Sequence, residues 1–148
     1  AVGFELAGPT DGCDRGPGVG EGGRAVGGGV LRGQENLIGL IKKYDITTGF
    51  STDLIGGMYP MLTREFTERA MYWKPAEVMA QATSESAKVI RMAGRLNRHG
   101  HFGEIREGWV ADILLINGEP LEDISVLRDP ENNLALIMKG GKIIKDQT

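Results

Sequence analysis

The sequence is poor in cysteine, in aromatic residues and in long apolar runs. Cys13 is the single cysteine among 148 residues, so no intrachain disulfide bond can form, which is typical of proteins kept in a reducing compartment. No apolar run approaches the ~18 residues that a membrane-spanning helix needs. No basic segment followed by an apolar stretch opens the chain, so no signal peptide is expected. We therefore expect a cytoplasmic protein without a membrane partner.

Neither sign of charge dominates the sequence. Lys and Arg total 17 and Asp and Glu total 20, which gives a net charge of −3 with no block of like charges. Nucleic acids and anionic membranes attract clustered basic residues, so we expect neither as a partner. With 41% hydrophobic and 25% charged residues, the composition is that of a globular chain. The length suffices for one domain but excludes a complete eight-stranded α/β barrel, which takes ~250 residues.

Glycine is concentrated at the beginning of the sequence, where 12 of the 23 glycines lie in residues 1–33. Glycine has no side chain to bury and loses the most backbone freedom on folding, so we predict an irregular segment of doubtful register for residues 1–33. The abrupt composition motivates the hypothesis of a truncated or misassembled reading frame, which continuous in-frame homology upstream would contradict. Residues 18–23 match G-x-G-x-x-G, but a dinucleotide site needs a strand before it and a helix after it, and neither is predicted.

The rest of the sequence alternates between helical and strand periods. Apolar residues at helical spacing predict three helices, at residues 34–44, 62–73 and 75–92. The last of these helices is predicted to break near residues 83–86. Apolar and β-branched runs predict short strands at residues 46–50, 103–105, 111–116, 134–138 and 143–144. Gly94 is predicted to end the last helix, and Gly140-Gly141 to form a hairpin turn. The sequence thus predicts an α/β fold with a β-rich tail.

Asp53 is the strongest candidate for a catalytic residue. It directly follows the predicted strand at residues 46–50, and α/β sheets and barrels place their chemistry at the carboxyl ends of strands. A turn or N-cap aspartate that accepts backbone N–H groups is the alternative, which the residues alone favour at about two to one. His99 and His101 could project to one side, but two histidines do not make a metal site, so a solvated loop is predicted. No serine lies in a G-x-S-x-G elbow, and no complete catalytic constellation is found.

Ordered motifs within residues 34–148 resemble the metal-dependent amidohydrolase superfamily. These motifs are Phe50-Ser51-Thr52-Asp53-Leu54-Ile55-Gly56, residues 82–90 (ATSESAKVI), residues 103–108 (GEIREG) and residues 111–116 (ADILLI). The tail is similar to the end of the imidazolonepropionase-like and prolidase-like members, including the lysine or arginine carboxypeptidases. It carries this similarity in residues 117–124 (NGEPLEDI) and 137–143 (IMKGGKI).

The resemblance implies the C-terminal fragment of a TIM-type (β/α)8 barrel together with strands of a small composite β-sandwich. Residues 34–100 would provide the last barrel strand and its helices, and residues 101–148 the β-sandwich tail. Asp53 matches the family's metal-binding aspartate, which also carries a proton from the metal-activated water to the leaving amine. The implied parent is a zinc-dependent hydrolase of amide C–N bonds of the peptide kind, acting on small-molecule or dipeptide-like substrates.

The sequence departs from the family in its metal ligands. The family's His-x-His pair follows the first barrel strand, and its carboxylated lysine and further histidines follow middle strands; none of these has a counterpart here. His99 and His101 fall after the helices and cannot take that role. Because a catalytic zinc needs about three protein ligands, we expect this chain alone to bind no metal and to be inactive. The alternative is a non-catalytic structural or interaction module that forms homo-oligomers through exposed strand edges.

Overall fold

The computed structural model describes the backbone of residues 21–148 and the side chains of residues 32–148, so Cys13 and most of the glycine-rich segment lie outside the described side chains. The backbone of residues 21–148 contains five α-helices: α1 Glu21–Tyr44, α2 Arg64–Ala70, α3 Pro75–Ala80, α4 Ser86–Arg91 and α5 Pro130–Asn133. It also contains three strands: β1 Ile113–Ile116, β2 Leu134–Lys139 and β3 Lys142–Asp146. Short segments of 3-10 helix lie at Gly56–Met61, Gly94–Leu96 and Ile124–Arg128. The predicted mixture of helix and strand is confirmed.

Helix α1 is longer than the sequence predicts. It was expected from residue 34, but it begins at Glu21, so the irregular backbone predicted for residues 1–33 is wrong for residues 21–33. Once an apolar face has fixed a helix, each added residue gains one backbone hydrogen bond. That gain offsets the roughly 1 kcal/mol by which each glycine weakens a helix. The apolar face of α1 is buried at Ile38 and Ile41.

The strand predicted at residues 46–50 does not form. These residues have irregular backbone, and no segment of the described part of the chain forms a ladder with them. The run is also less buried than a buried strand would be, since Ile46 is exposed and Thr48, Gly49 and Phe50 are only partly buried. A strand, unlike a helix, needs a neighbour to take its backbone hydrogen bonds, and sequence patterns cannot supply that neighbour. The strand predicted at residues 103–105 is likewise irregular.

A helical hairpin forms where two helices were predicted. The first helix is shorter than expected, ending at Ala70, and the second begins at Pro75 as predicted. The Glu77 carboxylate accepts the N–H of Lys74 at 2.8 Å and so closes the start of α3. Between α3 and α4 the chain makes a π turn at Gln81–Glu85, which is where the break was predicted. Gly94 has φ +55, so the predicted glycine stop after α4 is confirmed.

The strands form one antiparallel sheet in the order β1-β2-β3. Leu114 pairs with Ile137 across β1 and β2, and Ile137 pairs with Lys145 across β2 and β3. Gly140 and Gly141 connect β2 to β3 with φ values of +55 and +79, which only glycine adopts without strain. The predicted hairpin is therefore confirmed.

The core joins the helices to the segment before the sheet. Its buried side chains are Ile38, Ile41, Trp73, Val78, Ile124 and Leu127. The 3-10 turn at Ile124–Arg128 lies against α2, where Arg128 Nη1 donates to Thr67 Oγ1 at 3.1 Å. Residues more than 50 positions apart thus share one apolar cluster. In the described part of the chain, no helix is long and apolar enough to cross a membrane.

Gly103 lies directly against the π turn. A Cβ atom at this position would stand 2.5 Å from the Ala87 Cβ and 2.9 Å from the Thr83 carbonyl oxygen, and the residue has φ +94. Ala87 is fully buried, so neither neighbour can move away easily. The small side chain of Ala87 therefore has a packing reason: it lies on one helix face with the Thr83 carbonyl, and together they receive the backbone of Gly103.

We predict that Gly103→Ala destabilises the chain by about 1–3 kcal/mol more than Gly108→Ala, as overpacked sites do. Gly108 is a matched control because it also has a positive φ, +78, but a Cβ there would meet no atom within 4 Å. Both variants share the backbone strain and differ in the steric clash. Urea unfolding monitored by circular dichroism gives the two free energies of unfolding. Equal losses in the two variants would contradict a packing role for Gly103.

A second prediction concerns Asp112, which joins the start of β1 to the hairpin. Its carboxylate accepts the Gly140 N–H at 2.6 Å and pairs with the Lys139 ammonium. The hydrogen bond from Lys139, followed by that from Gly140, lowers the pKa of Asp112 below its ordinary value of 3.8. The folded state therefore holds this proton less tightly than the unfolded state, and the stabilisation is complete above pH 3.8 and lost as the pH falls through the lowered pKa.

Asp112→Asn should accordingly lower the free energy of unfolding at neutral pH, and the difference from the wild type should shrink at pH values below 3.8. Chemical unfolding of both proteins across that range measures this. A difference that stays constant with pH would show that the charge of Asp112 contributes nothing.

Candidate functional site

Asp53 lies in an exposed turn after residues 46–50. Its backbone has φ +51, in the left-handed region that residues other than glycine rarely adopt. Its carboxylate has no hydrogen-bond or ion-pair partner among the residues that the structure describes. The next 3-10 turn begins at Gly56 and has Ile55 at its N-cap, so Asp53 does not cap it. The side chain is thus free to bind a group from outside the described residues.

The left-handed conformation of Asp53 carries strain. Aspartate tolerates this region better than most residues, but such a conformation persists only where the surrounding structure holds it. The nearest local contact is weak, since the Leu54 N–H reaches the Thr52 hydroxyl at 3.5 Å. The firmer anchor is three residues earlier, at Phe50.

Phe50 is held by three contacts from the helical hairpin. Its backbone N–H donates to Ser86 Oγ at 2.8 Å. Its ring packs against Phe66 with the ring centroids 4.6 Å apart, and the Arg69 guanidinium carbon lies 4.9 Å from the ring centroid. Contacts of the backbone, an aromatic ring and a cation together fix this residue relative to α2 and α4.

Arg69 is itself buried, with 3% of its surface exposed. Its Nε donates to Glu65 Oε1 at 2.6 Å, and its Nη1 donates to Gln81 Oε1 at 2.8 Å. Burial raises the pKa of Glu65, while the Arg69 guanidinium acts in the opposite direction. A buried charge is tolerated only when it is paired and hydrogen-bonded. The cluster of Glu65, Arg69 and Gln81 meets that condition and joins α2 to the π turn.

Sequence reasoning missed this cluster. Glu65 and Arg69 are four residues apart, which is the spacing of an ion pair on a helix surface, and nothing in that spacing distinguishes a buried pair from an exposed one. The neighbouring pair with the same spacing, Arg64 and Glu68, is indeed on the surface at 3.1 Å. The sequence could have indicated burial of this pair only through its position around the helix axis, because Glu65 and Arg69 share the face that carries Phe66.

Two cavities border residues 45–51. The first has a volume of about 680 Å³ and lies between α1, residues 46–51 and α4, with apolar walls and with Arg69 and Ser86 as polar groups. The second, of about 870 Å³, has mixed walls that include Lys42, Glu77 and Lys88. Cavities of ~300–1,000 Å³ are typical of ligand sites, but Asp53 does not line either of them.

The two histidines lie in an exposed loop, as predicted. The His101 ring stacks on Trp109 with the centroids 5.4 Å apart, and the His99 ring meets Phe102 edge-on at 6.4 Å. Two guanidinium carbons lie near the Trp109 ring, that of Arg106 at 5.3 Å and that of Arg91 at 5.8 Å. Both imidazoles therefore pack on aromatic rings.

The described residues do not complete a metal site. Within residues 32–148 no three His, Cys, Asp or Glu side chains are close enough together to hold one ion. Asp53 can supply one carboxylate ligand, whereas a catalytic zinc needs about three protein ligands. A metal at Asp53 would need its other ligands from outside this part of the chain.

Comparison with known proteins gives consistent relatives. No protein-family model matches the chain. The chain is similar to the crystal structure of an amidohydrolase, with a TM-score of 0.65 and 32% identity over 75% of this chain and 25% of that chain. It is also similar to a prolidase solved in complex with N-methylphosphonate-L-proline, with a TM-score of 0.64 and 28% identity over 76% of this chain and 26% of that chain.

A relative found by sequence comparison is also a hydrolase-type protein of greater length. The chain is 29% identical over 103 residues to an ochratoxinase from Aspergillus niger, a match that covers 70% of this chain and 20% of that protein. The chain thus spans only a fifth to a quarter of the length of the proteins it matches. The resemblance to amidohydrolases and prolidases that the motifs indicated is confirmed, and the chain is related in sequence and in fold to one portion of such enzymes.

Proposed function

We propose that this chain is the C-terminal part of a metal-dependent amidohydrolase that hydrolyses an amide C–N bond of the peptide kind. The similarity in fold to an amidohydrolase structure, at 32% identity over a quarter of that chain, carries the proposal. In the parent, residues 46–50 form the last strand of a (β/α)8 barrel, because the rest of the barrel supplies the neighbours that this strand lacks here. The sheet of β1, β2 and β3 belongs to a small β-sandwich beside the barrel.

Asp53 is the residue of this chain that takes part in the reaction. A strained, exposed carboxylate that follows a strand of the barrel is placed as catalytic residues of such barrels are. Its carboxylate accepts a proton from the attacking water and returns it to the leaving nitrogen, so that the C–N bond breaks with release of a neutral amine and not of an amide anion. The metal of the parent, zinc or a similar divalent ion, would be bound in part by Asp53 and would make that water acidic enough to react.

The substrate is a small molecule with an amide bond, such as a dipeptide. A prolidase among the similar structures binds N-methylphosphonate-L-proline, a small proline derivative, which supports substrates of this size. This chain alone is inactive in the proposal, because its described residues provide one metal ligand and not three.

Asp53→Asn, made in the longer protein that contains this chain, should lower kcat by at least about 10²-fold for dipeptide hydrolysis, since a proton-transferring group contributes about that much. Asparagine tolerates the left-handed conformation, so the fold should persist. Asp45→Asn is the matched control, because Asp45 has φ +49 at the other end of the same segment. Release of free amine from a panel of dipeptides measures the rates, and thermal unfolding checks the fold. Full activity of Asp53→Asn would remove this residue from the mechanism.

A second candidate function, a non-catalytic module that forms oligomers, is supported by the exposed apolar surface of the sheet. Leu114 and Leu115 on β1 and Ile143 and Ile144 on β3 are each at least half exposed. Strands β1 and β3 are the edges of the sheet, and apolar edge strands are sites of pairing with further chains.

If that second candidate is right, sedimentation velocity of the purified chain at micromolar concentration should show a discrete oligomer without bound metal. Ile144→Lys should convert the oligomer to a monomer, because a charged edge strand resists pairing. Lys142→Gln at the start of the same strand is the control and should leave the oligomer unchanged. A monomeric wild-type chain would contradict the candidate.

A further inference from the structure

The hydroxyl of Ser86 connects the π turn to the segment that leads to Asp53. Ser86 Oγ accepts the Phe50 N–H at 2.8 Å and donates to the Gln81 carbonyl oxygen at 2.6 Å. One hydroxyl group is thus used both as donor and as acceptor, which fixes its direction. The Phe50 N–H has no backbone acceptor among the described residues, so Ser86 takes the place that a neighbouring strand would take.

The π turn brings Ser86 to this place. A π turn inserts one residue into a helix and displaces the following residues around the axis, and such turns recur at functional sites. Here the turn ends at Glu85, and Ser86 is the first residue after it. The Gln81 carbonyl accepts both the Ser86 N–H and the Ser86 hydroxyl, so the geometry of the turn determines where the hydroxyl points.

The turn is held from its other side as well. The Thr83 hydroxyl donates to the Met79 carbonyl at 2.7 Å, and the backbone of Gly103 fills the space beside Thr83 and Ala87. On the side of residues 46–50, Gly49 lies beside Ser86, where a Cβ would be in ordinary van der Waals contact with Ser86 Oγ at 3.8 Å. The direction of the Ser86 hydroxyl is therefore set by its two hydrogen bonds, to Phe50 and to Gln81.

We propose that Ser86 is a positioning residue for Asp53: its hydroxyl fixes the backbone at Phe50 and thereby holds the left-handed turn that presents the Asp53 carboxylate. The catalytic consequence rests on the proposed function, but the conformational effect does not. Ser86 does not touch the reacting groups and acts through three residues of backbone.

The test uses nuclear magnetic resonance of the complete 148-residue chain and compares Ser86→Ala with Ser84→Ala. Ser84 lies in the same π turn and is also partly buried, but its hydroxyl makes no hydrogen bond to the described residues, so it is the matched control. Two signals are followed: the exchange rate of the Phe50 amide, and the amide to α-proton Overhauser effect within Asp53, which is strong only while φ is positive.

In Ser86→Ala we expect the Phe50 amide to exchange about tenfold faster and the Asp53 signal to weaken, because one hydrogen bond contributes about that much. In Ser84→Ala both should match the wild type. Unchanged signals in Ser86→Ala would overturn the proposal. Should Ser86→Ala not fold, the wild type gives the answer, because its Phe50 amide must exchange more slowly than that of Thr48, whose amide has no partner among the described residues. Equal exchange rates of the two amides would overturn the proposal.

In the longer protein, Ser86→Ala should lower kcat with little change in KM, since the substrate contacts remain and only the carboxylate is displaced. This outcome separates the two proposals. Loss of activity in Asp53→Asn without loss in Ser86→Ala overturns the positioning role alone. If neither variant changes the activity, the proposed function fails, and the resonance data on this chain still decide whether Ser86 holds the turn.

Discussion

The buried guanidinium of Arg69 is the interaction on which the arrangement of the helices and of the Asp53 segment depends. A cation with 3% exposure must find partners inside the protein, and it finds Glu65 on its own helix α2, Gln81 on the π turn and the ring of Phe50. Removing one partner of a buried ion pair costs about 3–5 kcal/mol, because the other charge remains without compensation. The positions of α2, of the π turn and of the segment at Phe50 therefore depend on one another.

This dependence explains what could be predicted from the sequence. Features that arise from neighbouring residues were predictable: the helix start at Pro75, the stop at Gly94 and the hairpin at Gly140-Gly141, whose backbone angles only glycine tolerates well. The strand expected at residues 46–50 was wrong, because its existence depends on backbone partners that no local pattern reveals.

The candidate site shows the same division. Asp53 was predicted as a site residue from its place after an apolar run and from the family motif, whereas no pattern in the sequence indicated Ser86. The contacts of Ser86 depend on the π turn, and those of Arg69 depend on its burial. Residue spacing in the sequence predicts neither of these features. In the sequence, Thr83-Ser84-Glu85-Ser86 indicated only a break in a helix. In the structure the backbone of Gly103 packs against this segment at Thr83 and Ala87, and the backbone of Gly49 lies beside Ser86.

The strained turn at Asp53 and the packed backbone of Gly103 are the two ends of one series of contacts. Gly103 packs on Thr83 and Ala87, the π turn places the Ser86 hydroxyl, that hydroxyl holds Phe50, and Phe50 precedes the left-handed Asp53. Strain at an exposed residue is retained only where rigid neighbours impose it, and each contact in this series is to a packed helix face. A carboxylate with a purely structural role would cap backbone N–H groups or form an ion pair, as the Asp112 carboxylate does with Gly140 and Lys139. The Asp53 carboxylate has no such partner within the described residues, and this leaves it available for the role that the proposed function assigns to it.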